Sequence, residues 1–140
     1  MSMELLVFLA LEKTPNVAAW NDALRETGVP VQISASVDLS KHSGFLPMKL
    51  GDENTGLYFL TEEYADLAAQ IPELSRLPFE KIVVFSLGYG GDFKEGAAVF
   101  YSASALVAKF EGVAFDTQGG QFMTVAELLD AAKQLSALAP

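Results

Sequence analysis

Three stretches of the chain carry residue types that could do chemistry, and the first is the glycine-rich loop in FSLGYGGDFKEGAAVFY, residues 85–101. An apolar strand pattern runs into Gly88, Gly90 and Gly91, and a helix pattern follows, which is the arrangement that cradles phosphate on backbone N–H groups. A P-loop needs Lys and Ser or Thr after its last glycine. Gly91 and Gly96 have the right separation, but Ala97 and Ala98 stand in those two places. A dinucleotide loop needs a third glycine, and Phe93 occupies that position after Gly88 and Gly90. Asp92 works against both readings, because a carboxylate at the start of the helix takes the donors an anion would use. The loop therefore reads as a sharp strand-to-helix turn, with Gly96 marking close packing inside the helix and Tyr89 free to act as a contact residue.

The second stretch, DLSKHSGFLP, holds the only histidine, His42, between Ser40 and Ser43. Nucleophilic catalysis needs a base held by a third group beside an oxyanion site. No nucleophile elbow is present, since VFSLG lacks the first glycine of G-x-S-x-G. His42 reads as a turn residue bonded to backbone. The third stretch, DENTGLYFLTEE, puts Asp52, Asn54 and Glu63 at the first, third and twelfth places of a calcium loop. Leu57 stands where that loop requires glycine, so the site is rejected. No metal and no cofactor is expected. What the third stretch does carry is charge: Asp52, Glu53, Glu62, Glu63, Asp66 and Glu73 fall between Gly51 and Ser75 with no Lys or Arg among them. If the turn and the following helix start lie together, these acids form one surface that steers basic partners.

The elements that must position these residues follow from the hydrophobic periods. ELLVFLAL (4–11) is a continuous apolar run suited to a buried strand. Thr14 and Pro15 supply a cap and a first-turn proline for a helix carrying Val17, Trp20 and Leu24, ended by Gly28. VPVQISA is a weaker strand. FLPMKL and GLYFLT make a hairpin around GDENT, with Pro47 placing the first of them at an edge or a bulge. Thr61 caps a helix to about Gln70, and IPELSRLP is a connector. KIVVFSL is a strand, and Asp92 with Glu95 opens a helix that is apolar almost all round. GVAFDT is a last strand, and Thr124 with Glu127 forms a capping box for the C-terminal helix. The expected fold is α/β in the broad, α+β sense. It is a single domain over residues 1–140, with one mixed sheet of about five to six strands and about four helices packed on it.

Composition bounds the function. Just over half the residues are apolar and the net charge is −9. Nucleic acid and anionic membrane surfaces are poor partners for such a chain. No run approaches a membrane span or a signal peptide. The absence of cysteine excludes disulfides and thiolate chemistry and fits a cytoplasmic setting.

Three segments together, DLSKHSGFLPMKLGDENTGLYFL, FSLGYGGDFKEGAAVFYSASALVAKFEG and GVAFDTQGGQFMT, resemble a group of small, uncharacterised bacterial α/β proteins. Those proteins carry an HSGFLP…TGFE segment, a WGGD…E…A turn and a late G…FDPQ strand, and some look like immunity proteins that neutralise toxins. The resemblance spans about residues 36–125. It departs at Leu87, where the pattern prefers an aromatic, and at Thr117, where it prefers proline. It implies no catalytic residues. The leading expectation is a non-catalytic cytoplasmic bacterial protein that binds a basic protein. Asp52, Glu53, Glu62, Glu63 and Asp66 would be its contact acids and Tyr58 an aromatic anchor. The rival is a small-molecule or enzymatic site at the Ser86–Asp92 loop, built from His42, Tyr89, Gly90, Gly91 and Asp92. A third reading is a homo-oligomer held through the C-terminal helix.

Overall fold

The computed structural model describes residues 3–139. Seven strands form one sheet: β1 (Met3–Ala10), β2 (Val31–Ile33), β3 (Gly44–Leu50), β4 (Glu53–Glu62), β5 (Ile82–Tyr89), β6 (Val113–Asp116) and β7 (Gln121–Met123). Four helices accompany it: α1 (Val17–Glu26), α2 (Tyr64–Gln70), α3 (Phe93–Phe110) and α4 (Val125–Leu138). The strand order is β2-β3-β4-β5-β1-β6-β7. The expected single sheet with its helices is present, with more strands than expected.

Every ladder is antiparallel, where a mixed sheet was expected. The reason lies in where the helical crossovers land. α1 carries the chain from β1 to β2, which run the same way, but β3, β4 and β5 lie between them. α3 links β5 to β6, also parallel to each other, with β1 inserted between. Same-direction strands are thus never neighbours.

β1 is buried from Leu5 to Ala10 because both faces of its strand are covered. Leu5, Val7 and Leu9 face α1, α3 and α4 together with Trp20, Phe59, Phe85 and Leu87. Leu6 and Phe8 face the other way, with Val84, Phe115 and Leu74, under α2 and the short 3₁₀ turn Pro72–Arg76. α3 is buried along its length from Gly96 to Leu106, as its all-round apolar pattern predicts. The Trp20 indole Nε1–H donates to the Ser102 carbonyl at 3.2 Å, which ties α1 to α3.

Several local expectations shift by a few residues. Asn16, not Thr14, caps α1, its side chain accepting from Ala19 N at 2.8 Å. Thr14 instead donates to the Ala10 carbonyl. Thr61 caps nothing, because β4 runs on to Glu62 and α2 begins at Tyr64. The hairpin turn is only Gly51–Asp52, with Gly51 at φ +61°, so Glu53 already belongs to a strand. Pro47 lies in the second strand from the edge. Its carbonyl points toward β2, accepting from Ser34 N, so its nitrogen, which bears no proton, points the same way, where the pairing with β2 ends at Ile33. The Thr124–Glu127 capping box is present as expected.

Candidate functional site: the open face of the sheet

The face of the sheet that carries α2 is only partly covered. Reading across the ladders, one row runs Phe45–Tyr58–Gly88–Glu4. The next row runs Leu60–Ser86–Leu6–Phe115–Phe122. α2 and the 3₁₀ turn cover the Leu6, Phe8 and Phe115 part and leave the rest open. Phe45, Tyr58, Leu60 and Phe122 are 41%, 52%, 36% and 42% exposed. Phe45 and Tyr58 meet edge to face with centroids 5.5 Å apart. The Phe45 ring lies over Gly56, where a Cβ would come within 2.4 Å of Cζ.

Beside this aromatic pair the sheet surface dips. Gly88 has no side chain, and a groove of 510 Å³ opens over it. Tyr58 and Leu60 stand on one side, Glu4, Thr117 and Gln118 on the other, and Ser86 in the middle. Among the described residues, no Lys or Arg lines it. The Ser86 hydroxyl donates to Glu4 Oε2. Glu4 and Glu62 come from different strands, yet their carboxyl groups are close enough to repel and to share a hydrogen bond. Burial, reinforced by the Glu4 charge, pushes the Glu62 carboxyl above the usual glutamate range. Glu62 Oε2 is buried with no hydrogen-bond partner among the described residues. A protonated Glu62 could donate to Glu4, whereas two carboxylates have nothing to donate to each other.

The sequence-predicted acids do not form one surface. Asp52 and Glu53 sit at the hairpin end of β4, and Glu62 and Glu63 at its other end, roughly 30 Å away at ~3.3 Å per residue. Glu53 is paired with Lys94. Glu62 turns inward toward Glu4. Glu63 and Asp66 are exposed, and Tyr58 lies in the aromatic row of the open face, paired with Phe45.

The rival loop is also dispersed. Tyr89 borders the groove and packs edge-on against Phe100, and burial with the nearby Asp116 charge raises its hydroxyl pKa. Asp92 is the N-cap of α3, its Oδ1 accepting from Lys94 N at 2.8 Å and Glu95 N at 3.3 Å, so the helix donors are taken. It borders a different hollow, with Asn54 and Glu95. The Glu95 carboxyl is raised by burial and by Asp92 while it accepts from the Gly90 backbone. Gly90 and Gly91 have no positive φ, contrary to the expectation for a turn glycine, and a Cβ at either meets nothing within 4 Å. His42 lines neither hollow. Its Nε2 lies 3.0 Å from the Phe45 carbonyl, the backbone bond its turn setting predicts.

Glu4 and Leu60 were not singled out by the sequence, because each sits inside or beside an apolar run, and Ser86 entered only as a rejected elbow nucleophile and as one end of the rival loop. The available signal was alternation: Glu4 shares a face with Leu6 and Phe8, and Ser86 with Val84 and Gly88. A polar side chain and a glycine at the same end of two neighbouring strands mark where cover stops. No family model matches the chain, and no curated protein or solved structure matches it.

Proposed function

We propose that this chain is a non-catalytic binding protein of the bacterial cytoplasm that covers a basic surface on another protein, in the manner of an immunity protein. The observation that carries the reading is the open half-face of the sheet. A row of exposed aromatic and aliphatic side chains flanks a groove lined with carboxylate and hydroxyl groups and, among the described residues, without a cation. Exposed aromatics beside a pocket are the usual anchors of an interface. The net charge of −9 favours a basic partner and disfavours a second copy of the same face. The resemblance to immunity-like proteins supports the same reading. The contact set moves accordingly, from the hairpin acids to Phe45, Tyr58 and Leu60, with Glu4, Glu62, Glu63 and Asp66 as the acidic surroundings.

The test is affinity capture of the tagged chain from cells that express it, at low and moderate salt. A basic protein should be held at low salt and released as salt rises. Tyr58→Lys with Leu60→Lys should abolish its capture, while Asp52→Asn with Glu53→Gln should leave it intact. Capture that ignores the first pair of changes, in a variant whose circular dichroism is unaltered, removes the open face from the account.

A further inference from the structure

A second hollow lies at the other end of the sheet, away from Gly88. It encloses 630 Å³, within the range of small-ligand sites. Its walls come from the end of β1, the start of β5, the end of β4 and the loop before β3. Leu11, Pro15, Leu39, Val83 and Phe85 give it an apolar lining. Asp38, Glu62 and Glu63 also line it, with no Lys or Arg. Asp38 is held in its ionised form by the Ser40 hydroxyl and backbone N–H and, to a smaller extent, by the nearby Lys41 charge, all of which lower its pKa. Asn16, the α1 cap, also lines it, but its Oδ1 is engaged with Ala19 N. An anion would meet two exposed carboxylates here, and a neutral ligand would gain no charge attraction from either.

We infer that this hollow binds a small organic cation, an apolar or aromatic body carrying a primary ammonium. The body would lie against Val83 and Phe85, and the ammonium would face Asp38 and Glu63. An ion pair at this exposed mouth is screened by water and modest, and it ranks ligands of one shape by their charge. The molecule carries its own reporter. Trp20, the only tryptophan, stacks on Phe85 with centroids 5.7 Å apart.

The experiment titrates the whole chain with three probes of one shape: 2-phenylethylamine, 2-phenylethanol and 3-phenylpropionate. Trp20 fluorescence gives affinity, and backbone amide NMR shifts locate the site. The amine should saturate with a Kd of about 1–10 mM, in line with a ligand of its size. The alcohol should bind about tenfold more weakly and the carboxylate more weakly still. Shifts should centre on residues 11–16, 38–40, 61–63 and 82–85. Asp38→Asn with Glu63→Gln changes two exposed side chains, so the fold should persist, and it should bring amine and alcohol within about twofold of each other. Three results each overturn the inference: no saturation by the amine at about 50 mM, well above that range; an alcohol or carboxylate that binds as tightly as the amine; or shifts centred on Tyr58 and Gly88.

Discussion

Glu62 shows how one side chain can join two strands and weaken the fold at the same time. Its carboxyl is driven toward the protonated form by burial and by Glu4. Between the ordinary glutamate range and this raised value, the folded chain holds more protons than the unfolded one. Stability therefore falls as pH rises through that interval and stays lower above it. Glu62→Gln keeps a hydrogen-bond donor toward Glu4 and removes the charge. The variant should melt at a higher temperature than the parent at pH 7.5, and the difference should shrink as pH falls below the ordinary glutamate range, where Glu62 carries its proton in the folded and the unfolded chain alike. Thermal melts across that range measure both ends. Nothing in ELLVFLAL marks Glu4 as a partner of Glu62, because the approach depends on β5 lying between β1 and β4. Side-chain chemistry was legible here, and proximity was not.

At the scale of elements, most helices and strands follow from their periods, and the departures have local causes. β7 was missed because Gln121–Met123 is three residues long, too short for an alternation to register, and exists through its pairing with Ala114–Asp116. The β4 start was misplaced because Asp, Glu and Asn favour turns in general, whereas a two-residue turn at Gly51 needs only one positive φ. Gly96 was read correctly as a packing glycine. A Cβ there would lie 2.9 Å from both Leu135 Cδ1 and Tyr89 Cε2, at the seam of α3, α4 and β5. Helix propensity alone would make Gly96→Ala stabilising by about 1 kcal/mol. Overpacking should dominate, for a net loss of about 1–2 kcal/mol. Denaturant melts of the variant decide between these, and a gain in stability would show that Leu135 and the Tyr89 ring yield freely.

For the whole molecule, the strand order is the feature that sequence periodicity could not supply. Apolar runs name the buried strands, but neighbours are set by which ladders and helix faces close together. β1 ends between β5 and β6, while β2 and β7, three residues each, form the edges. Amide hydrogen exchange should therefore be slowest in Leu5–Leu9, Val84–Leu87 and the middle of α3, and fastest in β2 and β7. Edge amides protected as strongly as those of β1 would contradict this distribution. The same order leaves one half-face of the sheet bare, since α2 and its 3₁₀ turn span only part of it. That bare half is where the binding reading rests.

The central place of β1 also bears on how the chain is made. Its residues leave the ribosome before either strand that flanks it, since those come from Ile82 onward and from Val113 onward. A continuous apolar strand must therefore wait, unpaired, until at least Ile82–Tyr89 has been made. The hairpin of β3 and β4 can form early, but the sheet cannot close around β1 until α3 and β6 have emerged. Nascent chains halted before Val113 should expose this strand to chaperones and proteases, and the time spent in that state is a property of the topology rather than of any single residue.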